Sequence, residues 1–161
     1  VVQDSHYFFL MKSTLHFILG SRTRARITTK SRNTIIYFYP ADGTEYCTMQ
    51  AKGFSIIYDT TADLGLDIVG VSPDDIATHK KFRSDQNIPF HLLYDKGSKV
   101  SDKLGLLKRD PPYHLYSLRV TFLINKNRII LGRWDEIDVP THSDDVVSFV
   151  VEILEKNELN V

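Results

Sequence analysis

The sequence predicts an α/β protein, a sheet with helices on both faces, and three observations carry that reading. The stretch Thr34–Tyr39 (TIIYFY) is β-branched and aromatic with almost no polar break, as expected of a strand buried on both sides. Asp67–Val71 (DIVGV) is a second run of the same kind, separated from the first by a segment with helical spacing. Strands then alternate with helices until a hairpin and a last helix close the chain, the pattern of a layered α/β sheet.

Each element has its own signals. Pro40, Asp42 and Gly43 stop the first strand. Thr44 to about Leu64 reads as a helix, because Tyr46, Met49 or Gln50, Gly53 or Phe54, Ile57 and Ala62 fall near helical spacing. After the second strand, Ser72-Pro73-Asp74-Asp75 offers an N-cap, a proline at the first helical position and two acids in the first turn. This predicts a helix over Pro73–Gln86. Phe90–Tyr94 is expected as a short strand and Lys99–Leu104 as a short helix. Val120–Ile124 and Arg128–Trp134 form a hairpin turning at Asn125-Lys126-Asn127, and Ser143–Lys156 is the closing helix. Residues 1–33 are an atypical N-terminal segment, where Tyr7–Leu10 and Leu15–Leu19, with Gly20-Ser21 beyond, permit a β-hairpin.

Composition narrows the function. A chain of 161 residues with 42% hydrophobic and 25% charged side chains reads as one globular domain over residues 1–161. Twenty basic and twenty acidic residues cancel, so no global field argues for nucleic acid or an anionic membrane surface. The charge is unevenly spread. Up to residue 41, Asp4 stands against Lys12, Arg22, Arg24, Arg26, Lys30 and Arg32. An organelle transit peptide has that Arg-rich, acid-poor character, but the reading taken is an ordered, solvated basic edge. The apolar run Tyr7–Leu19 is interrupted by Lys12 and His16, so a bilayer span is not expected. The six histidines are scattered without metal-ligand spacing, and no glycine-rich loop has nucleotide-binding spacing, so neither metal nor cofactor is implied. Tyr37, Phe38 and Tyr39 lack a flanking basic stripe and read as strand core rather than a base-stacking platform. A single cysteine excludes an internal disulfide framework and fits a reducing compartment such as the cytosol.

That cysteine, Cys47, lies in PADGTEYC, where a buried strand, a short turn and a helix meet. In the first helical turn, unpaired backbone N–H groups and the positive end of the helix dipole favour a thiolate over a thiol. Thr44, three residues earlier, places a hydroxyl within reach of the sulfur or of a bound substrate oxygen, and Pro40 shields the turn without offering a competing donor. A buried structural cysteine beside a threonine N-cap accounts for the same residues equally well, and local chemistry alone leaves both readings open.

The motif Pro40-x-x-x-Thr44-x-x-Cys47 resembles the active-site motif of the peroxiredoxins. The stretches IIYFYPADGTEYCT, DIVGVSPDD, HKKFRSDQNIPFHLLYD, VSDKLGL and RVTFLIN are similar, in order, to the branch called bacterioferritin comigratory protein or peroxiredoxin Q, across roughly residues 34–125. The resemblance implies a thioredoxin-like fold, with a central mixed β-sheet flanked by helices on both faces, and thiol-dependent reduction of hydrogen peroxide or organic hydroperoxides. It makes Cys47 the peroxidatic nucleophile, with Thr44, Pro40 and Arg119 as the other catalytic residues. Arg119 is permanently cationic and carries a planar fork able to touch sulfur and peroxide together.

The sequence departs from that branch at Lys52, which stands five residues after Cys47 where many relatives carry a resolving cysteine. A 1-Cys route is therefore implied, with the sulfenic acid resolved by an external thiol: thioredoxin, glutaredoxin or a small thiol. The alternative is a peroxide sensor or thiol-transfer protein without efficient turnover. The expected state is a monomer or weak homodimer in the cytoplasm. Leu106–Arg119 lacks the glycines of relatives, and residues 1–33 match them poorly.

Overall fold

The computed structural model describes residues 32–110 and 114–156. The N-terminal hairpin expected at Tyr7–Leu10 and Leu15–Leu19 lies outside these residues. The described elements run β1 (Asn33–Phe38), α1 (Glu45–Ile56), α2 (Tyr58–Asp63), β2 (Leu66–Ser72), α3 (Ile76–Gln86), β3 (His91–Tyr94), a 3-10 turn (Lys96–Ser98), α4 (Lys99–Lys103), β4 (Leu107–Asp110), β5 (His114–Ser117), β6 (Val120–Ile124), β7 (Ile130–Trp134) and α5 (His142–Glu155).

The main sheet has five strands in the order β3-β2-β1-β6-β7. β1 lies parallel to β2, and β2 to β3, whereas β6 runs antiparallel to both β1 and β7, so the sheet is mixed as expected. The apolar run of β1 is explained by its two buried faces. Ile35, Tyr37 and Tyr39 point into a core shared with Phe54 of α1, Phe82 of α3 and Val146, Val150 and Ile153 of α5. Ile36 and Phe38 point the other way, onto Val69, Val71, Val100, Leu104 and Phe122. This is the thioredoxin-like arrangement of a sheet between two layers of helices.

The elements differ from the sequence expectation in three places. The helix expected to run unbroken from Thr44 to Leu64 is two helices, because Ile57 takes φ −89° and ψ 0° and ends the first with its side chain in the core. The buried face of α1 begins at Cys47 and continues through Gln50, Ala51 and Phe54, leaving Tyr46 and Met49 exposed. The third helix starts at Ile76 rather than Pro73. Ser72 and Asp74 are engaged with each other, Ser72 Oγ donating to Asp74 Oδ2 at 2.6 Å, and Asp75 caps the helix by accepting from Thr78 N–H at 2.8 Å. Those hydrogen bonds from Thr78 hold the Asp75 carboxyl below its usual range.

The segment between Leu106 and Arg119 contains two strands that the sequence reading left without structure. β4 and β5 pair antiparallel as a separate two-stranded ribbon, and Leu118 N–H then bonds back to Leu106 O at 2.7 Å. Arg119 follows directly.

Candidate active site

The site is assembled where β1 ends. Thr44 takes extended backbone angles (φ −74°, ψ 155°) and caps α1, its Oγ1 accepting from Cys47 N–H at 3.4 Å and its carbonyl from Thr48 N–H at 2.8 Å. A hydroxyl that accepts from the backbone keeps its own proton to donate, and because Thr44 is exposed that proton is available to a group arriving from solvent. Cys47 is 1% exposed and sits on the core face of α1, where the first-turn N–H groups and the helix dipole place positive potential at its sulfur. Pro40 is half-buried at the exit from β1.

Arg119 reaches the sulfur because of the sheet register. β6 runs antiparallel to β1 with Val120 opposite Phe38, so the residue before β6 lies beside the end of β1. From there Arg119 Nη2 donates to Cys47 Sγ at 3.4 Å, and Nη1 donates to Gln50 Oε1. One planar guanidinium thus spans the sulfur and a buried amide one helical turn further along α1, and the two contacts fix its plane. The four residues expected from the sequence are gathered at one place, Cys47 bonded to both Thr44 and Arg119 and Pro40 in the turn that leads to them.

Gln50 was not foreseen as part of this arrangement. Its signal was spacing: at i+3 from Cys47 on a helix, it shares the sulfur's face. Two of the histidines, scattered in sequence without metal-ligand spacing, are buried with polar partners. His79 Nδ1 lies 2.7 Å from Asp42 Oδ2 in the PADGTEYC turn, and His142 Nε2 lies 2.8 Å from Thr121 Oγ1. His142 also meets Phe54 and Trp134 edge-on, and burial pushes its pKa down to about 4, with Asp145 pulling it back up and Arg119, the smallest of the three effects, adding to the drop. Tyr37 forms part of the inner wall, its ring 4.8 Å from that of Phe54. Its pKa is raised by burial first and then by the electrostatic effect of Asp42 and Cys47, opposed by Arg119. Lys52, in the position of the absent resolving cysteine, is exposed on α1.

Known proteins resemble this chain in sequence and in fold. The profile of the AhpC/TSA family matches residues 20–132. A putative peroxiredoxin Bcp of Coxiella burnetii is 33% identical over 121 residues, covering 73% of this chain and 80% of that protein. The chloroplastic peroxiredoxin Q of Oryza sativa subsp. japonica is 38% identical over 104 residues, covering 63% of this chain and 46% of that longer protein. Among solved structures, the bacterioferritin comigratory protein of Xanthomonas campestris, a protein with alkyl peroxide reduction activity, superposes with a TM-score of 0.74 at 25% identity. The alignment covers 83% of this chain and 87% of that one. Sequence and topology agree: the chain belongs to the AhpC/TSA family, in its Bcp/peroxiredoxin Q branch.

Proposed function

We propose that Cys47, Thr44, Arg119 and Pro40 carry out thiol-dependent reduction of hydrogen peroxide and organic hydroperoxides. The observation that supports this most directly is the 3.4 Å contact between Arg119 Nη2 and Cys47 Sγ. A thiolate attacks the nearer peroxide oxygen, the O–O bond breaks, and the departing oxygen leaves as an alkoxide or hydroxide that takes up a proton. Sulfur is oxidised to sulfenic acid and the peroxide is reduced to an alcohol or water. Charge passes from sulfur to the leaving oxygen during the step, so a fixed cation at the sulfur and a hydroxyl donor at the mouth lie where charge starts and where it arrives. Pro40 keeps a competing N–H and water away from the turn. The alkyl peroxide activity of the Xanthomonas campestris protein supports organic hydroperoxides as substrates.

With one cysteine in this sequence, the sulfenic acid is resolved by an outside thiol, which forms a mixed disulfide and releases water; a second thiol then frees Cys47. The reductant is proposed to be thioredoxin, glutaredoxin or a small thiol, acting on a monomer or weak homodimer in the cytoplasm. The absence of a cysteine at Lys52 also motivates the sensor reading, in which oxidation occurs without turnover. Stopped-flow oxidation of Cys47 by dilute peroxide, followed by added thiol, tests both. Rapid sulfenic acid formation and repeated turnover support the peroxidase, oxidation with a single turnover supports the sensor, and a thiol no faster than free cysteine overturns both.

A further inference from the structure

We propose that Asp42 and His79 form a tether that holds the Pro40–Thr44 turn against α3, making both of them positioning residues for the oxidation of Cys47. The proposal rests on the peroxidase reading and concerns residues outside the motif that carries it.

The turn has little of its own to hold it in place. Gly43 takes a positive φ of +75°, and Gly43 and Thr44 are exposed. Its anchor is the Asp42 side chain, only 2% exposed, which points inward between two donors. Tyr39 O–H donates to Oδ1 at 2.6 Å, and His79 Nδ1 approaches Oδ2 at 2.7 Å. A carboxylate can only accept, so Nδ1 carries the hydrogen. Asp42 N–H in turn donates to Asp74 Oδ2 at 2.8 Å, the oxygen that also accepts from Ser72 Oγ. Backbone and side chain of one turn residue are therefore bound to Asp74, in the loop between β2 and α3, and to His79 of α3, thirty-seven residues away along the chain.

The His79 side chain is 4% exposed, and its Nε2 has no partner among the described residues, so the ring's polar contact is with Asp42. A buried ionisable pair adds little net stability over apolar side chains of the same volume, whereas losing one partner leaves a costly unpaired group. What the pair supplies that apolar packing would not is a fixed direction and distance between the turn and α3. The turn's position in turn sets Thr44, the N-cap, and through it the first turn of α1 that carries the sulfur. Tyr39, which donates to Asp42, stacks on Tyr37 with ring centroids 5.2 Å apart, and both rings belong to the buried cluster that contains Cys47, so the tether and the sulfur share one aromatic wall.

Release of the tether has two opposite consequences for Cys47. Peroxide needs sulfur, Thr44 and Arg119 in register, and an ångström-scale misplacement costs on the order of tenfold to a hundredfold. An alkylating agent needs only access, which the 1% exposed sulfur restricts while the turn is held. Loss of the tether should therefore slow peroxide and speed alkylation, a split that a simple loss of fold stability at unchanged site geometry does not produce.

The test compares wild type with His79→Leu, which removes the donor, and His79→Asn, whose amide N–H can occupy the place of Nδ1–H. For each, the second-order rate with hydrogen peroxide, the alkylation rate with iodoacetamide and the melting temperature are measured. The expected result for His79→Leu is peroxide oxidation slower by about tenfold or more and faster alkylation, in protein that remains folded at the assay temperature, with His79→Asn recovering both rates. Wild-type rates in His79→Leu overturn the proposal, as does His79→Asn impaired equally. If His79→Leu does not fold, His79→Asn is compared with His79→Gln, whose amide lies one methylene further out. Equal rates in those two overturn the tether and a deficit in His79→Gln alone supports it. A wild-type Cys47 inert to peroxide would instead sink the peroxidase reading, and the alkylation rates would still report on the tether.

Discussion

A guanidinium that is fixed at two points behaves differently from one that is held at a single point. Arg119 gives one N–H to Cys47 Sγ and another to Gln50 Oε1, so its plane is set before any peroxide arrives and no reorganisation is needed as charge moves along the S–O–O axis. A lysine ammonium is a point charge on a flexible stem and cannot make both contacts in one plane. Arg119→Ala and Thr44→Val are each expected to slow peroxide oxidation of Cys47 on the order of a hundredfold, the usual cost of losing one such donor. Arg119→Lys should recover only part of that loss. Thr44 also caps α1, so circular dichroism must accompany the rate: Thr44→Val that keeps both its helicity and the wild-type rate removes the hydroxyl from the mechanism, and the wild-type rate in Arg119→Ala removes the guanidinium.

At the scale of elements, what the sequence revealed depended on whether the signal was local. β1 and β2 are legible because both of their faces are buried, so apolar residues run on without alternation. The start of α3 was misplaced because Ser72, Pro73 and the two acids have good capping chemistry, but Ser72 and Asp74 are committed to each other and to the backbone of the distant Asp42, leaving Asp75 as the cap. β4 and β5 are not legible because Leu107–Asp110 (LKRD) is mostly charged in sequence and their pairing gains nothing visible within either strand. The motif Pro40-x-x-x-Thr44-x-x-Cys47 could be read directly. Gln50 showed only its i+3 spacing from Cys47 and His79 showed nothing local, since their contacts exist only once α1, α3 and the turn are packed. His142 is the same kind of case, and it carries a prediction for α5, whose first residue it is. Burial lowers its pKa from 6.5 to about 4, so the fold holds it neutral. Between those values the unfolded chain binds a proton that the folded chain refuses, and stability therefore rises with pH across that window and falls as pH drops from 6.5 toward 4. The melting temperature of wild type should fall more between pH 7 and about pH 5 than that of His142→Gln, which keeps an amide near Thr121 and has no proton to gain. Parallel slopes for the two proteins would show that His142 does not supply this dependence.

At the scale of the whole molecule, the sulfur sits where the sheet changes direction. β1 has a parallel neighbour on one side and an antiparallel one on the other, so its carboxyl end meets the start of β6, and the nucleophile and its arginine come from elements far apart in sequence. This placement buries the sulfur, and burial governs how oxidised Cys47 returns to the thiol. A disulfide needs Cα atoms about 4.4–6.8 Å apart. Two copies of Cys47, each on the core face of α1 beneath Arg119, cannot approach that closely while the first turn of α1 keeps its shape. A small thiol must reach the sulfur as well, but it enters past the exposed Thr44 without bringing a second folded chain with it. Stepwise peroxide addition followed by intact-mass measurement should therefore give a monomer carrying one added oxygen, converted to a mixed disulfide when a small thiol is supplied. Without thiol, further peroxide should add second and third oxygens at the same residue, with activity lost as they appear, because the sulfenic acid has no partner in this sequence to intercept it. Cys47→Ser should gain none of these masses. A covalent dimer as the main product, reversed by reductant, would mean that α1 opens far enough for two sulfurs to meet, and the external-thiol route would give way to an intermolecular disulfide.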